Sequence, residues 1–269
     1  MSPVLGIITA AAVAGNPTAK ELDAVWQKYC GAATQHTQVP LPLTTESDWE
    51  RLAKGETVTR RFRVPGTPAD RVLAMRYIDQ APASIWVAIL DGEHGSLSSD
   101  LVEWELPGAT PTSKVLYQHL DLPFPVDNRH WIIHAVSNGP LYRATGRTAW
   151  ERGWQLDPGG ESSLARLPAA LQARGDGAIW TPANSGAWLL LSVGWGTLAV
   201  YQLETNIGGW LPEDLVTRFV LSSLTDLIET TEKLADRTPS HYRSGHDPIY
   251  RPDGSVIEPY WVRRPNPAG

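Results

Sequence analysis

Residues 206–235 read NIGGWLPEDLVTRFVLSSLTDLIETTEKLA, a long amphipathic helix pattern that follows directly on a run of strand-like sequence. Leu211, Leu215, Val216, Phe219, Val220, Leu224, Leu227, Ile228 and Leu234 make one broad apolar stripe, while Glu213, Asp214, Glu229, Glu232 and Lys233 face away. A stripe of that width has to be buried against another element. Pro212 and the two acids after it suit a first helical turn, where a fixed φ and negative charge are both favourable. The fold must therefore give one long helix a surface to lie on.

The preceding sequence supplies that surface. Residues 56–63 (ETVTRRFR) alternate with period two, and 71–78 (RVLAMRYI) follow the turn Gly66-Thr67-Pro68, so both read as strands. Residues 82–90 (PASIWVAIL) read as a helix, with Pro82 near its first turn and Ile85, Trp86, Ile89 and Leu90 at helical spacing. Further strands are predicted over 101–106, 113–121, 129–137, 141–155, 187–193 and 195–204. Their short connections, with clear turns at Asn138-Gly139-Pro140 and Gly194, favour an antiparallel meander. Within 141–155, Tyr142, Ala144, Thr148, Trp150 and Trp154 share one face, with Arg152 the exception on it. Arg143, Arg147, Glu151 and Gln155 share the other, which is expected to be wet.

Around this centre, 19–29 predicts a short helix, 31–45 a linker, 46–54 a helical turn, and 162–174 an insertion with a helix near Pro168. Residues 241–269, rich in Pro, Gly, His and Arg without apolar period, read as an extended tail. The chain thus divides into an N-terminal extension (1–45), a main domain (46–236) and a C-terminal tail (237–269). The element order predicts the α+β class: one curved antiparallel sheet with helices segregated to one side. Large side chains or a ligand must fill the space between the sheet and the long helix.

Composition removes several function classes. With 23 basic against 29 acidic residues and net charge −6, the chain lacks the basic stripe that nucleic acid requires. Cys30 is the only cysteine, which excludes an internal disulfide and a cysteine-based metal cluster. No apolar run approaches the ~20 residues of a membrane span. Residues 4–15 (VLGIITAAAVAG) end in Ala12-Val13-Ala14, similar to a signal-peptide cleavage site, but no basic residues precede them. A frayed helix in a cytoplasmic protein is the expectation, and an exported or periplasmic protein the alternative.

From about Trp49 to Leu234 the chain resembles a START domain, the lipid-transfer branch of the helix-grip fold. The resemblance rests on the Val64-Pro65-Gly66 turn, the helix PASIWVAILD, the strand-loop-strand YQHLDLPFPVDNRHWII (117–133) and the Gly208-Gly209-Trp210-Leu211-Pro212 entrance to the closing helix. LPFPVDNRHW is its most specific piece, with Pro123, Pro125, Asp127 and Arg129, although Asn128 stands between the last two. The resemblance implies a helix-grip fold whose sheet wraps the long C-terminal helix around an internal cavity. That cavity would hold one hydrophobic molecule such as a sterol, phospholipid, ceramide-like lipid or polyketide. The loop between Asp121 and Arg129 would gate it.

The candidate residues follow from both readings. Leu122, Phe124 and Val126 are apolar in a loop that should be polar; they suit a gate that opens at a membrane surface, unless Phe124 plugs a core gap. Arg76 sits mid-strand, either to anchor a lipid head group or to face water. Tyr117, His119, His134, Trp188, Tyr201 and Phe219 are the remaining ligand-binding candidates, as large or polar-tipped residues on elements that should wrap the cavity. His119, His130 and His134 fall on neighbouring strands, with His119 and His134 expected to approach each other. They read first as buried, hydrogen-bonded histidines, then as a head-group contact, and last as a zinc site, because neither HExxH nor a His/Cys cluster is present. Glu103 and Glu105 share a strand face and read as solvated. There is no GxSxG, P-loop or GxGxxG. The expectation is a monomeric, non-enzymatic lipid carrier without cofactor or metal, in transient contact with membranes. A cyclase-like enzyme using His119, His134 or Arg76 as acid or base is the alternative.

Overall fold

The computed structural model describes residues 15–37, 44–63, 66, 70–92, 97–98, 100–206, 208–209, 213–242 and 246–258; the side chains of 34–35 and 213–221 are not among them. Helices α1 (Ala19–His36) and α2 (Glu46–Ala53) open the chain, each started by a capping box: Thr18 with Glu21, and Thr45 with Asp48. Strands β1 (Val58–Arg63) and β2 (Asp70–Ile78) lead to α3 (Pro82–Leu90). Then come β3 (Leu101–Thr110), β4 (Ser113–Leu120), β5 (Arg129–Ser137), a short helix α4 (Gly139–Ala144) and β6 (Ala149–Leu156). A 3-10 turn (Gly160–Arg166), α5 (Ala169–Arg174) and the two-residue β7 (Ile179–Trp180) precede the long hairpin β8 (Ala183–Val193) and β9 (Gly196–Asn206). Helix α6 (Glu213–His241) closes the fold with 29 residues.

The strands form one sheet of nine in the order β1-β2-β9-β8-β6-β5-β4-β3, antiparallel along this path, with β7 parallel to the start of β5. Residues paired across neighbouring strands share a face, so the register runs rows of side chains across the sheet. One row is Ala135, Trp154, Gly186, Leu203 and Val72; the next is Ser137, Arg152, Trp188, Tyr201 and Ala74. Both lie on the face that meets α6, where Leu224 and Ile228 pack with Val72, Ala74 and Trp188. We call this the inner face. Gly186 has to lack a side chain there, because a Cβ would come within 2.5 Å of the Trp154 ring and 2.2 Å of the Gln202 carbonyl.

Helices cover both faces of the sheet, not one side as the element order suggests. On the outer face, Leu22, Trp26 and Tyr29 of α1 and Trp49 and Leu52 of α2 pack on Val58, Leu73, Met75, Leu189, Leu191 and Val200. Helix α1 continues through Gly31 to His36, into the stretch read as linker. On the inner face α3 is apolar almost all round because it is wedged between the sheet and α6: Ile85, Trp86, Val87 and Ala88 are buried with Trp150, Leu190, Leu234 and Ala235. Residues 246–258, within the stretch read as an extended tail, are packed too. Ile257 is fully buried, Tyr250 bridges Val256, and the Trp86 indole donates to the Tyr250 carbonyl at 2.9 Å.

The predicted long strand 141–155 is corrected. Its first part is α4, because Asn138 caps a helix by accepting from the Leu141 N–H at 3.0 Å and Pro140 fits the first turn. The strand resumes only after Gly146 and Arg147, both with positive φ. The expected wet face of β6 is also corrected: Glu151 is buried under α1, accepting from the Tyr29 hydroxyl, the Thr37 hydroxyl at 2.8 Å and the Asn138 amide at 2.7 Å. Asn138 thus caps α4, binds Glu151 and donates to the His36 carbonyl at 2.8 Å. Replacing Asn138 with Ala is expected to cost about 2–3 kcal/mol in denaturant unfolding, from one lost cap and an under-satisfied buried carboxylate. A loss below about 0.5 kcal/mol would show that this junction is not structural.

Candidate functional site

The inner face between β2, β6, β8, β9 and α6 is built mainly from aromatic side chains. Trp188 meets Tyr201 edge-on with ring centroids 4.9 Å apart, and Trp154 lies 5.5 Å from Tyr201. The Trp154 indole donates to the Asn184 side-chain oxygen at 2.9 Å. Leu224, Leu227 and Ile228 of α6 and Ile89 of α3 close over the group. In its centre, paired with Trp188 across the β6–β8 register, stands Arg152. Its relative exposure is 8%, and among the described residues its guanidinium has no hydrogen-bond or ion-pair partner. Burial pulls its pKa down to about 10, with the more distant Glu103 and Glu105 carboxylates acting in the opposite direction. The Tyr201 hydroxyl, pushed up by burial, is likewise unpartnered among the described residues. Two polar groups, one of them cationic, therefore lie among these aromatic side chains without a hydrogen-bond partner among the described residues.

The structure redistributes the other residues singled out from sequence. Trp188 and Tyr201 are on the inner face. Phe219 lies in α6, but its side chain is outside the described residues. Arg76 also points to the inner face, yet it is engaged: it binds Glu232 of α6 at 2.7 Å, the Gly55 carbonyl at 2.9 Å and the Thr57 hydroxyl at 3.1 Å. Arg76 clamps the closing helix to β2 and is not an open head-group anchor. Tyr117, His119 and His134 lie on the outer face, because Tyr117 pairs with Ile132, His119 with His130 and Val115 with His134, in rows alternate to the inner ones. His119 therefore approaches His130, with ring centroids 6.5 Å apart, and not His134. Arg152 was visible in the sequence as the one charged residue among the aromatics of its alternation.

The outer cluster is packed under the insertion. Tyr117 and Ile132 are buried with Leu167, and the Tyr117 hydroxyl lies 3.2 Å from His130 Nδ1. Burial holds both His119 and His130 below the usual histidine range; Asp121, 3.2 Å from His119 Nε2, offsets part of the effect. Further along, His134, Asp157, Gly159, Ser163 and Arg166 line an open pocket of about 440 Å³. Burial works against the Asp157 charge, but hydrogen bonds from Ser163, His134, the Gly159 N–H and Arg166 outweigh it and hold the carboxyl well below its usual range. Ser163 donates to Asp157 and not to His134, so the serine has no base and the trio is not arranged as a hydrolytic triad. It is a staple for the insertion.

The loop between Asp121 and Arg129 and the entrance to α6 meet at one residue. Arg129, 1% exposed, donates to the Asp127 carbonyl on its own loop and to the Gly208 carbonyl at 3.0 Å. Gly208 and Gly209 both have positive φ, and a Cβ on Gly209 would come within 2.9 Å of the Arg129 guanidinium. Asn128 closes the neck of the loop by accepting from the Leu122 N–H at 2.9 Å and donating to Asp121 at 3.1 Å. Leu122 and Val126 are half-buried, while Phe124 at the tip is 97% exposed and plugs no gap in the core. Trp210 to Pro212 of the entrance, and Val64 and Pro65 of the first turn, lie outside the described residues.

This curved open antiparallel sheet with its closing C-terminal helix is the START-like helix-grip fold. A STAR-related lipid transfer protein (fragment 25–204) from Xanthomonas axonopodis aligns with 67% of this chain and 93% of its own, at 19% identity and TM-score 0.54. Human StAR-related lipid transfer protein 5 aligns with 83% of this chain and 98% of its own, at 13% identity and TM-score 0.55. No family model and no curated protein sequence matches the chain.

The Asp157 staple makes a pH prediction. Its carboxyl is ionised in the folded protein down to lower pH than in the unfolded chain, so its stabilisation is present above about pH 4 and is lost as pH falls below that value. Asp157→Asn is expected to lower stability at pH 7 by roughly 2–3 kcal/mol and to flatten the acid limb of the unfolding curve. An unchanged acid limb in that variant contradicts the assignment.

Proposed function

We propose that the protein binds one hydrophobic molecule between the inner face and α6, and that Arg152 receives that molecule's anionic or strongly hydrogen-bond-accepting polar group. The observation that carries this reading is a buried guanidinium without a partner among the described residues, on the sheet face that carries Trp150, Trp154, Trp188 and Tyr201. Leaving a charge unpaired in such surroundings costs several kcal/mol, and a carboxylate, phosphate or carbonyl that met the guanidinium fork would recover it. The ligand's apolar body would be held at ~25 cal/mol per Å² buried, and Tyr201 would add a second orienting contact. Carriage of the molecule between membranes or partners is part of the proposal. The junction of Arg129 with Gly208 is the place where the loop and the entrance of α6 would part. Sterol and phospholipid are both acceptable bodies; the site favours an acidic or acceptor-rich head. The cyclase alternative needs an acid or base on the inner face. Of its three candidates, His119 and His134 lie on the other face and Arg76 is bound to Glu232.

Native mass spectrometry of the purified protein followed by lipid extraction is expected to reveal one bound lipid per chain. A long-chain fatty acid should bind in preference to its methyl ester. Arg152→Met should abolish this preference and weaken acid binding by ~10–100-fold, the value of charge-assisted hydrogen bonds. The same variant should leave the empty protein as stable as before or more so, by up to roughly 1–4 kcal/mol, because it removes an unpaired buried charge. Equal binding of acid and ester by the unmodified protein would sink the Arg152 assignment, and failure to bind any amphiphile in a panel would sink the function. Phe124→Ser should slow lipid exchange between vesicles several-fold with unfolding unchanged within about 0.5 kcal/mol, as its ring is solvent-exposed. Unaltered exchange would remove the loop tip from the membrane step.

A further inference from the structure

Away from this site, Asp91, His241 and His246 converge where the far end of α6 meets α3. Asp91 caps the C-terminus of α3 with its N–H on the Val87 carbonyl, and its side chain is buried. His241 is the last residue of α6, and His246 begins the packed segment that follows. The Asp91 carboxylate oxygen Oδ2 lies 3.3 Å from His241 Nε2 and 2.9 Å from His246 Nε2, and one ligand atom from each residue falls within 4.8 Å of both others. The rings are held by packing: His246 contacts His241 at 5.2 Å and Tyr242 at 5.0 Å between centroids. Tyr242 is anchored in turn by its hydroxyl, which donates to the Ile257 carbonyl at 2.8 Å.

The hydrogen bonding of His246 selects what belongs there. Its Nδ1 lies 2.9 Å from the Asp247 carbonyl, and a carbonyl only accepts, so Nδ1 carries the hydrogen. In the neutral ring Nε2 then holds a lone pair. That atom is fully enclosed and makes no hydrogen bond among the described residues, although a carboxylate oxygen is 2.9 Å away. Two electron-pair donors at this separation repel each other unless a cation joins them. A metal ~2.0–2.1 Å from each donor would subtend about 90° across the 2.9 Å gap and about 107° across the 3.3 Å gap, the second close to the tetrahedral angle of zinc sites. The Nδ1–H to carbonyl contact is also the outer bond by which metal-binding histidines are oriented. We propose that Asp91, His241 and His246 form a divalent-metal site, best matched to zinc by its two imidazole nitrogens and one carboxylate. The metal would pin the C-terminal end of α6 to α3, at the end of the helix opposite its Gly208-Gly209 entrance.

The test uses the full chain, stripped with EDTA and titrated with zinc chloride alone by calorimetry, with thermal unfolding in parallel. One zinc per chain and a rise in the unfolding midpoint are expected. His246→Ala and Asp91→Asn should each weaken binding by at least the ~10–100-fold seen when even outer-sphere partners are lost. His119→Ala and His134→Ala should bind as the unmodified protein does. Should the site variants misfold, zinc X-ray absorption on the loaded wild type reads the ligands directly and should report two imidazoles. No uptake at micromolar zinc, uptake that survives His246→Ala, or a spectrum without imidazole scattering each overturns the site and leaves a His–Asp ion pair in its place.

Discussion

Glu151 and Arg152 are adjacent, oppositely charged and both buried, on opposite faces of one strand. The register that fixes β6 between β5 and β8 leaves no other arrangement, because a slip of one residue would exchange the two faces along the whole strand. The two charges are treated differently. Glu151 accepts hydrogen bonds from Tyr29, Thr37 and Asn138, which tie α1 and α4 to the outer face. Arg152, on the side that meets α6, makes no hydrogen bond or ion pair with the described residues, and only the more distant Glu103 and Glu105 carboxylates act on it. The outer face is finished as structure, and the inner face retains an unmet electrostatic demand.

The sheet accommodates both because each face has its own cover. The first two helices bury the outer aliphatic rows, while α3 and α6 take the inner aromatic ones. Helix α6 is held along its length by different means. Arg76 clamps its middle to β2 through Glu232, its C-terminal end lies against α3, and its entrance is tied to the loop at Asp127 through Arg129. Among the described residues, the entrance is tied by hydrogen bonds from Arg129 to backbone carbonyls beside two glycines, and the later part of the helix by packed side chains and an ion pair.

Much of this was legible in the sequence, and its failures have physical causes. Pro82 and the spacing of Ile85 and Trp86 defined α3, and the stripe from Leu224 to Leu234 defined the closing helix. The Pro-rich loop and the Gly-Gly entrance were both recognisable, although nothing in the sequence showed that Arg129 joins them. Asn138-Gly139-Pro140 was read as a turn, yet the same residues supply a cap and a first-turn proline, and α4 follows. Facing was the harder problem. On β4 and β5 both alternations are bulky, Leu116 beside Tyr117 and Trp131 beside Ile132, because both faces are buried and hydrophobicity cannot tell them apart. Tyr117, His119 and His134 were therefore expected on the face that meets α6 and lie on the other. Arg76 and Arg152 both interrupt apolar alternations; only the structure shows that one is paired to Glu232 and the other is not.

In the proposed function a ligand lies on the inner face, against Arg152 and α6. Photocrosslinking with a diazirine-bearing fatty acid, followed by peptide mapping, tests it most directly. Adducts are expected on the peptides that carry Trp188, Tyr201 and residues 224–228, with their loss when unlabelled fatty acid competes. Adducts confined to Tyr117, His119 or the pocket around His134 and Asp157 would place the ligand on the outer face and contradict it.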